Sequence, residues 1–156
     1  MEFLAALHPK IVHFPLAFLL IYVLLEIIGV LSGKVFFQKC AYLFLFIGVI
    51  SAVAAVITGN QAADIAERLK VKVTSIPSDL ISEHEDFATA SLWYFTALLI
   101  LRTFFVIKKK YKGIIQYVFI ILTLIGGYLI YQTGDRGGKL VFNHGVGTVL
   151  RIDTTK

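Results

Sequence analysis

The residues of this chain with most chemistry to offer are its four histidines, and each stands where a long apolar run begins or ends. His8 and His13 lie in Leu7-His8-Pro9-Lys10-Ile11-Val12-His13-Phe14-Pro15, at the mouth of a run that continues to Leu31 with a single charge, Glu26. His84 stands in Ser82-Glu83-His84-Glu85, and His144 in Asn143-His144-Gly145, beyond the last apolar run. Imidazole is costly in or beside lipid, so histidines kept there point to metal or haem ligation, proton transfer or pH sensing. The one cysteine, Cys40, can form no internal disulfide. The sequence has no C-x-x-C or C-x-x-C-H motif, which excludes Cys-Cys zinc sites and covalently attached haem.

What must position these histidines is a membrane protein. The 156 residues are 58% hydrophobic with a mean hydropathy of +0.82, well above the apolar share of soluble domains. Four runs are long enough to cross about 30 Å of hydrocarbon as helices. They predict an all-α integral membrane four-helix bundle, one domain over residues 1–156, with helices at about 11–31, 40–58, 84–107 and 114–132 and a glycine-rich segment at 134–156. The first run is too long for a signal peptide and lacks a small-residue cleavage pattern, so it is expected to stay as a span. Pro9 and Pro15 suit a helix start. Ser82 and Glu85 read as a capping box opening the third helix, and residues 62–69 as a short interfacial helix. The small residues Gly48, Ser51, Ala52, Ala54, Ala55 and Gly59 of the second helix, and Gly126-Gly127 of the fourth, allow close approach. The glycines from Gly134 onward have neither the spacing nor the context of a phosphate loop. They are expected to turn the backbone over the end of the bundle.

An even number of spans puts both termini at one end of the bundle, together with all four histidines. The short loops after the first and third helices carry Lys34 and Lys39, and then Arg102 and Lys108-Lys109-Lys110-Tyr111-Lys112, with no acidic residue. The positive-inside rule therefore places the termini and the histidines on the outer, periplasmic side of a bacterial plasma membrane. The net charge of +5 is explained in this way, and nucleic acid is not expected as a partner. Glu26 is expected to reach the nearby interface.

A b-type haem held between facing helices needs imidazoles at similar depth on different helices, beside small residues. His13 and His84 are the expected axial ligands. His8 and His144 would serve a second site or the propionates, and Lys10, Arg136 and Lys139 offer further cations for those carboxylates. His8 and His13, five residues apart, would point in different directions on one continuous helix, so they are not expected to share an iron. The alternatives are a copper or zinc site built from the histidines with Glu83, Glu85 or Asp86, and a non-catalytic anchor or assembly subunit of a larger membrane complex. Hydrolase or transferase chemistry has no support, since no serine–histidine–acid pattern or phosphate loop occurs; an electron-transfer or accessory subunit is expected rather than an independent enzyme.

Two end motifs, His8-Pro9-x-x-Val12-His13-Phe14-Pro15 and Gly137-Gly138-x-Leu140-Val141-x-x-His144-Gly145-Val146-Gly147, resemble those of the membrane-protein family catalogued as domain of unknown function 2231. Thr58-Gly59 after the second run and a histidine opening the third fit as well, so the resemblance covers essentially the whole chain. It implies a four-helix membrane module. Members of that family occur joined to c-type cytochrome or Rieske iron–sulfur domains, which implies membrane electron transfer, with a periplasmic c-type cytochrome or a quinol as the expected exchange partner.

Overall fold

The computed structural model describes residues 2–70 and 78–145. Its apolar runs fold into α1 (Glu2–Ile11), α2 (His13–Leu31), α3 (Val35–Lys70), α4 (Ser78–Ile107) and α5 (Ile114–Phe142). Helices α1 and α2 make one nearly continuous rod, interrupted at Val12. Pro15 has no N–H to offer the carbonyl of Ile11, and the next bond, from Leu16 N–H to Val12 O, is stretched to 3.5 Å. A proline four residues on is the usual cause of such a break. Counting that rod as one, four helices among the described residues are long and apolar enough to cross a membrane: Phe3–Leu31, Val35–Ile65, Asp79–Ile107 and Ile114–Phe142. The expected all-α membrane bundle is therefore present.

Every helix is longer than its apolar run. The first rod starts at Glu2 instead of near residue 11, so both prolines and both N-terminal histidines are helical or at the break. Helix α3 continues through 62–69 without interruption, because nothing between Gly59 and Lys70 breaks a helix; the separate interfacial helix read there is the end of α3. At 36 residues it is about 54 Å long, well over the hydrocarbon thickness. Helix α4 begins at Ser78, so Ser82 lies in its second turn and is not an N-cap. Helix α5 runs through Gly134, Gly137 and Gly138 to Phe142, where a turn over the bundle was expected. Glycine disfavours a helix by up to about 1 kcal/mol per residue. Here that cost is offset by packing, described below. Val146 and Gly147 of the second end motif, and Ser75 to Pro77 of the central loop, lie outside the described residues.

The packing order closes a ring. Helix α2 packs on α3 and α5, α4 packs on α3 and α5, and α1 packs on α3. From α2 onward successive helices run antiparallel, so α2 and α4 are parallel and face each other diagonally. The core between them holds Leu19, Tyr22, Leu45, Phe95, Leu98 and Phe119. Gly48 and Gly126 allow this approach: a β-carbon on Gly48 would lie 2.5 Å from Leu19 Cδ2, and one on Gly126 would lie 2.6 Å from Phe95 Cζ. Small residues thus serve helix packing here. The outer surface carries Leu24, Phe36, Phe46, Trp93, Ile100 and Ile121, all exposed, a surface suited to lipid and not to water.

Candidate functional site

One end of the bundle gathers two of the four histidines. His8, on α1, reaches α3: its Nδ1 lies 3.1 Å from Thr58 Oγ1. The Thr58 hydroxyl has one hydrogen, and backbone carbonyls of Ala54 (2.9 Å) and Ala55 (3.0 Å) stand ready to accept it. Thr58 then accepts from His8, so the proton of the neutral ring is assigned to Nδ1 and the lone pair to Nε2. His84, on α4, reaches α5 in the same way. Its Nδ1 lies 3.1 Å from the carbonyl oxygen of Thr133. A carbonyl only accepts, so this ring too carries its proton on Nδ1 and its lone pair on Nε2. Thr133 is held in turn, its hydroxyl donating to Leu129 O and lying 3.1 Å from Ser91 Oγ. His8 and His84 are near neighbours at this end of the bundle.

Each ring lies against a glycine of the helix it reaches. A β-carbon on Gly59 would come within 3.0 Å of His8 Cε1, and one on Gly137 within 3.0 Å of His84 Cε1. The Thr58-Gly59 pair and the glycine of the C-terminal motif are therefore the imidazole supports, which accounts for a glycine in the middle of the last turns of α5. Beside His84, Arg136 lies over the Phe87 ring with its guanidinium 3.9 Å from the centroid, and pairs with Glu83 at 3.2 Å. Gln61, three residues after Thr58 and so near the same face of α3, has a buried Oε1 with no hydrogen-bond partner.

His13 and His144 are placed differently. His13 opens α2 and is exposed. His144 is half-buried in the turn after α5, seven residues past Gly137. Of the other cations considered, Lys10 is exposed and Lys139 pairs with Asp135 at 2.6 Å. Among the described residues no group of three or more His, Cys, Asp or Glu side chains comes together, as a four-donor copper or zinc site would need.

The opposite end of the bundle holds a feature that composition did not reveal. Glu26 is fully buried within the bundle and does not extend outward from it. It pairs across the diagonal with Arg102 of α4, also buried, and accepts a hydrogen bond from Tyr111 in the turn before α5. Arg102 donates a further bond to Gln38 O at 2.9 Å, and its guanidinium stands 4.8 Å from the Tyr111 ring centroid. Burial pushes the Tyr111 phenol up from its ordinary value, against the pull of Arg102 and with the push of Glu26. The signal was present in the numbering: positions 8 to 26 and 84 to 102 are both steps of eighteen. On two parallel helices an equal step, about 27 Å of rise, sets Glu26 level with Arg102 only when His8 is level with His84.

No curated protein matches the chain, and no solved structure matches it. A family model does, over residues 4–150, and it takes in both histidine motifs and, but for Phe3, all four candidate spans. The chain belongs to the family described as predicted membrane protein (DUF2231).

Proposed function

We propose that this protein is a membrane electron-transfer subunit that holds a b-type haem through His8 and His84. The observation that carries this reading is the pair of imidazoles on different helices, each anchored through Nδ1 and each keeping its Nε2 lone pair. That arrangement is the one metal-binding histidines ordinarily show, with the second ring nitrogen donating to a carbonyl or hydroxyl that fixes tautomer and orientation. Gly59 and Gly137 keep the rings free of a crowding β-carbon, and Arg136 supplies a fixed cation beside His84 for a carboxylate. Bound there, the haem would supply one-electron chemistry. The chain's own part is to set ligand orientation through Thr58 and Thr133 and to keep the site at the bundle end. The pair differs from the His13–His84 pair expected from sequence, because His13 faces outward while His8 turns into the bundle. The lysine-rich short loops support a plasma-membrane orientation with the histidine end outside, where a quinol or a c-type cytochrome would be the exchange partner.

Optical spectra of the purified protein test this directly. A reduced-minus-oxidised spectrum with a sharp α-band is expected. It should be lost in His8→Ala and in His84→Ala and kept in His13→Ala. A colourless protein after expression with added haem precursor would leave the anchor-subunit reading in its place. Full haem in both alanine variants would overturn the ligand pair. Thr58→Val should weaken haem binding by about tenfold to a hundredfold, the usual effect of removing a ligand's supporting partner.

A further inference from the structure

The end of the bundle away from the histidines carries a cavity of about 320 Å³ between α3, α4 and the turn that leads to α5. Its wall is formed by Gln38, Lys39, Tyr42, Arg102, Lys109 and Tyr111, with Val35 and Val106 beside them. No acidic side chain lines it. The charge of Arg102 is matched by Glu26 behind it, so Lys39 and Lys109 leave the cavity positive. Two further observations single it out. Arg102 is 1% exposed, and with Nη1 and Nη2 committed to Glu26 and Gln38 its Nε has no partner. A buried donor of this kind is rare. Second, Lys109 adopts φ 53°, a left-handed conformation that side chains disfavour. It stands at the position after the helix end where glycine is usual, with Lys109 N–H bonded to Val106 O and Lys110 N–H to Phe105 O. The backbone thus holds a lysine at the cavity rim where a glycine would fit more easily.

The shape and place of the cavity say what chemistry suits it. Both chain turns at this end, 32–34 and 108–113, carry lysines, and the spans end here, so the cavity opens at the membrane–water boundary. A phosphate ester satisfies the two lysines. Val35 and Val106, with the Tyr42 and Tyr111 side chains beside them, offer an apolar part of the wall that a free phosphate would not use and an acyl chain would. We propose that the cavity binds the phosphate head group of an anionic glycerophospholipid, with Lys39 and Lys109 flanking the phosphate and the acyl chain lying against the apolar wall. Basic pockets between membrane helices recognise such head groups. This site is separate from the histidine end and does not depend on haem.

Lys109→Gly is the informative variant, because glycine suits the backbone at that position and the fold should not suffer. The full-length protein, in detergent with equal amounts of phosphatidylglycerol and phosphatidylcholine, is examined by native mass spectrometry. The proposal expects phosphatidylglycerol adducts to dominate, Lys109→Gly to lower that preference about fivefold, as for one surface lysine, and Lys110→Ala, one residue away and outside the cavity, to leave it unchanged. Equal losses in the two variants would mean diffuse surface attraction and overturn the site. So would the absence of any preference. Adducts of inorganic phosphate without a phosphatidylglycerol preference would assign the cavity to a free anion and overturn the lipid. A melting temperature in Lys109→Gly no lower than in the parent confirms that the loss reads binding and not folding.

Discussion

At the scale of single residues, the molecule is organised by two polar pairings at opposite ends of an apolar bundle. His8 and His84 lean on threonines and glycines; Glu26 and Arg102 lean on each other. The second pairing carries a sharp expectation. A buried ion pair is weak net stabilisation, but deleting one partner leaves an uncompensated buried charge and costs about 3–5 kcal/mol. Arg102→Leu and Glu26→Leu should therefore each lower stability strongly in a detergent or mixed-micelle unfolding titration. The double variant should recover most of that loss. Two single-variant losses that simply add would show that the residues act separately. By sequence alone Arg102 reads as part of a basic loop and Glu26 as a residue of the nearby interface, so their pairing is not visible. Only their common depth, set by equal spacing from two histidines, reveals the partnership.

At the scale of the helix, the glycines separate into those that are packed upon and those that are not. Gly126 lies under Phe95, and Gly138 has nothing within 4 Å of where a β-carbon would stand. Both are helical, so intrinsic preference alone would favour alanine at each. Packing reverses the sign at one of them. Gly126→Ala is expected to destabilise by about 1–3 kcal/mol through overpacking, and Gly138→Ala to stabilise by about 0.5–1 kcal/mol. Thermal melts of the two variants side by side would check this; a stabilising shift in both would show that packing at Gly126 does not matter. The same logic explains why α5 extends past its apolar run. Local composition around Gly134 to Gly138 reads as a turn. The helix survives because Thr133 and Gly137 form the surface on which His84 rests.

At the scale of the whole molecule, four spans in antiparallel order bring His8, His84 and His144 to one end and Lys34, Lys39 and the 108–112 lysine run to the other. In sealed vesicles of a Cys40→Ser background, single cysteines at Lys10 and Lys139 should be labelled by a membrane-impermeant thiol reagent from one and the same side. Cysteines at Lys34 and Lys110 should react from the opposite side. Labelling of Lys10 and Lys139 from different sides would remove the common histidine end and, with it, the haem reading.

Hydrophobic run length, net polarity of the loops and the even count of spans are sufficient by themselves to determine an all-α membrane bundle with its histidines at one end, because burial of apolar helices in lipid depends on composition over about twenty residues and little on detail. The motif His8-Pro9 to Pro15 and the glycine motif of α5 likewise contain residues of the candidate site. Which histidine faces inward was beyond that reading. Periodicity sets His8 and His13, five residues apart on one rod, in different directions, but it fixes those directions only relative to their own helix and not relative to the neighbouring helices. The tertiary structure alone decided that His8 reaches Thr58 while His13 faces out, that Gly59 and Gly137 are imidazole supports, and that Glu26 and Arg102 meet across the diagonal. The reason is common to all three: each depends on the rotation and depth of one helix against another, and those are set by side-chain packing between segments distant in sequence.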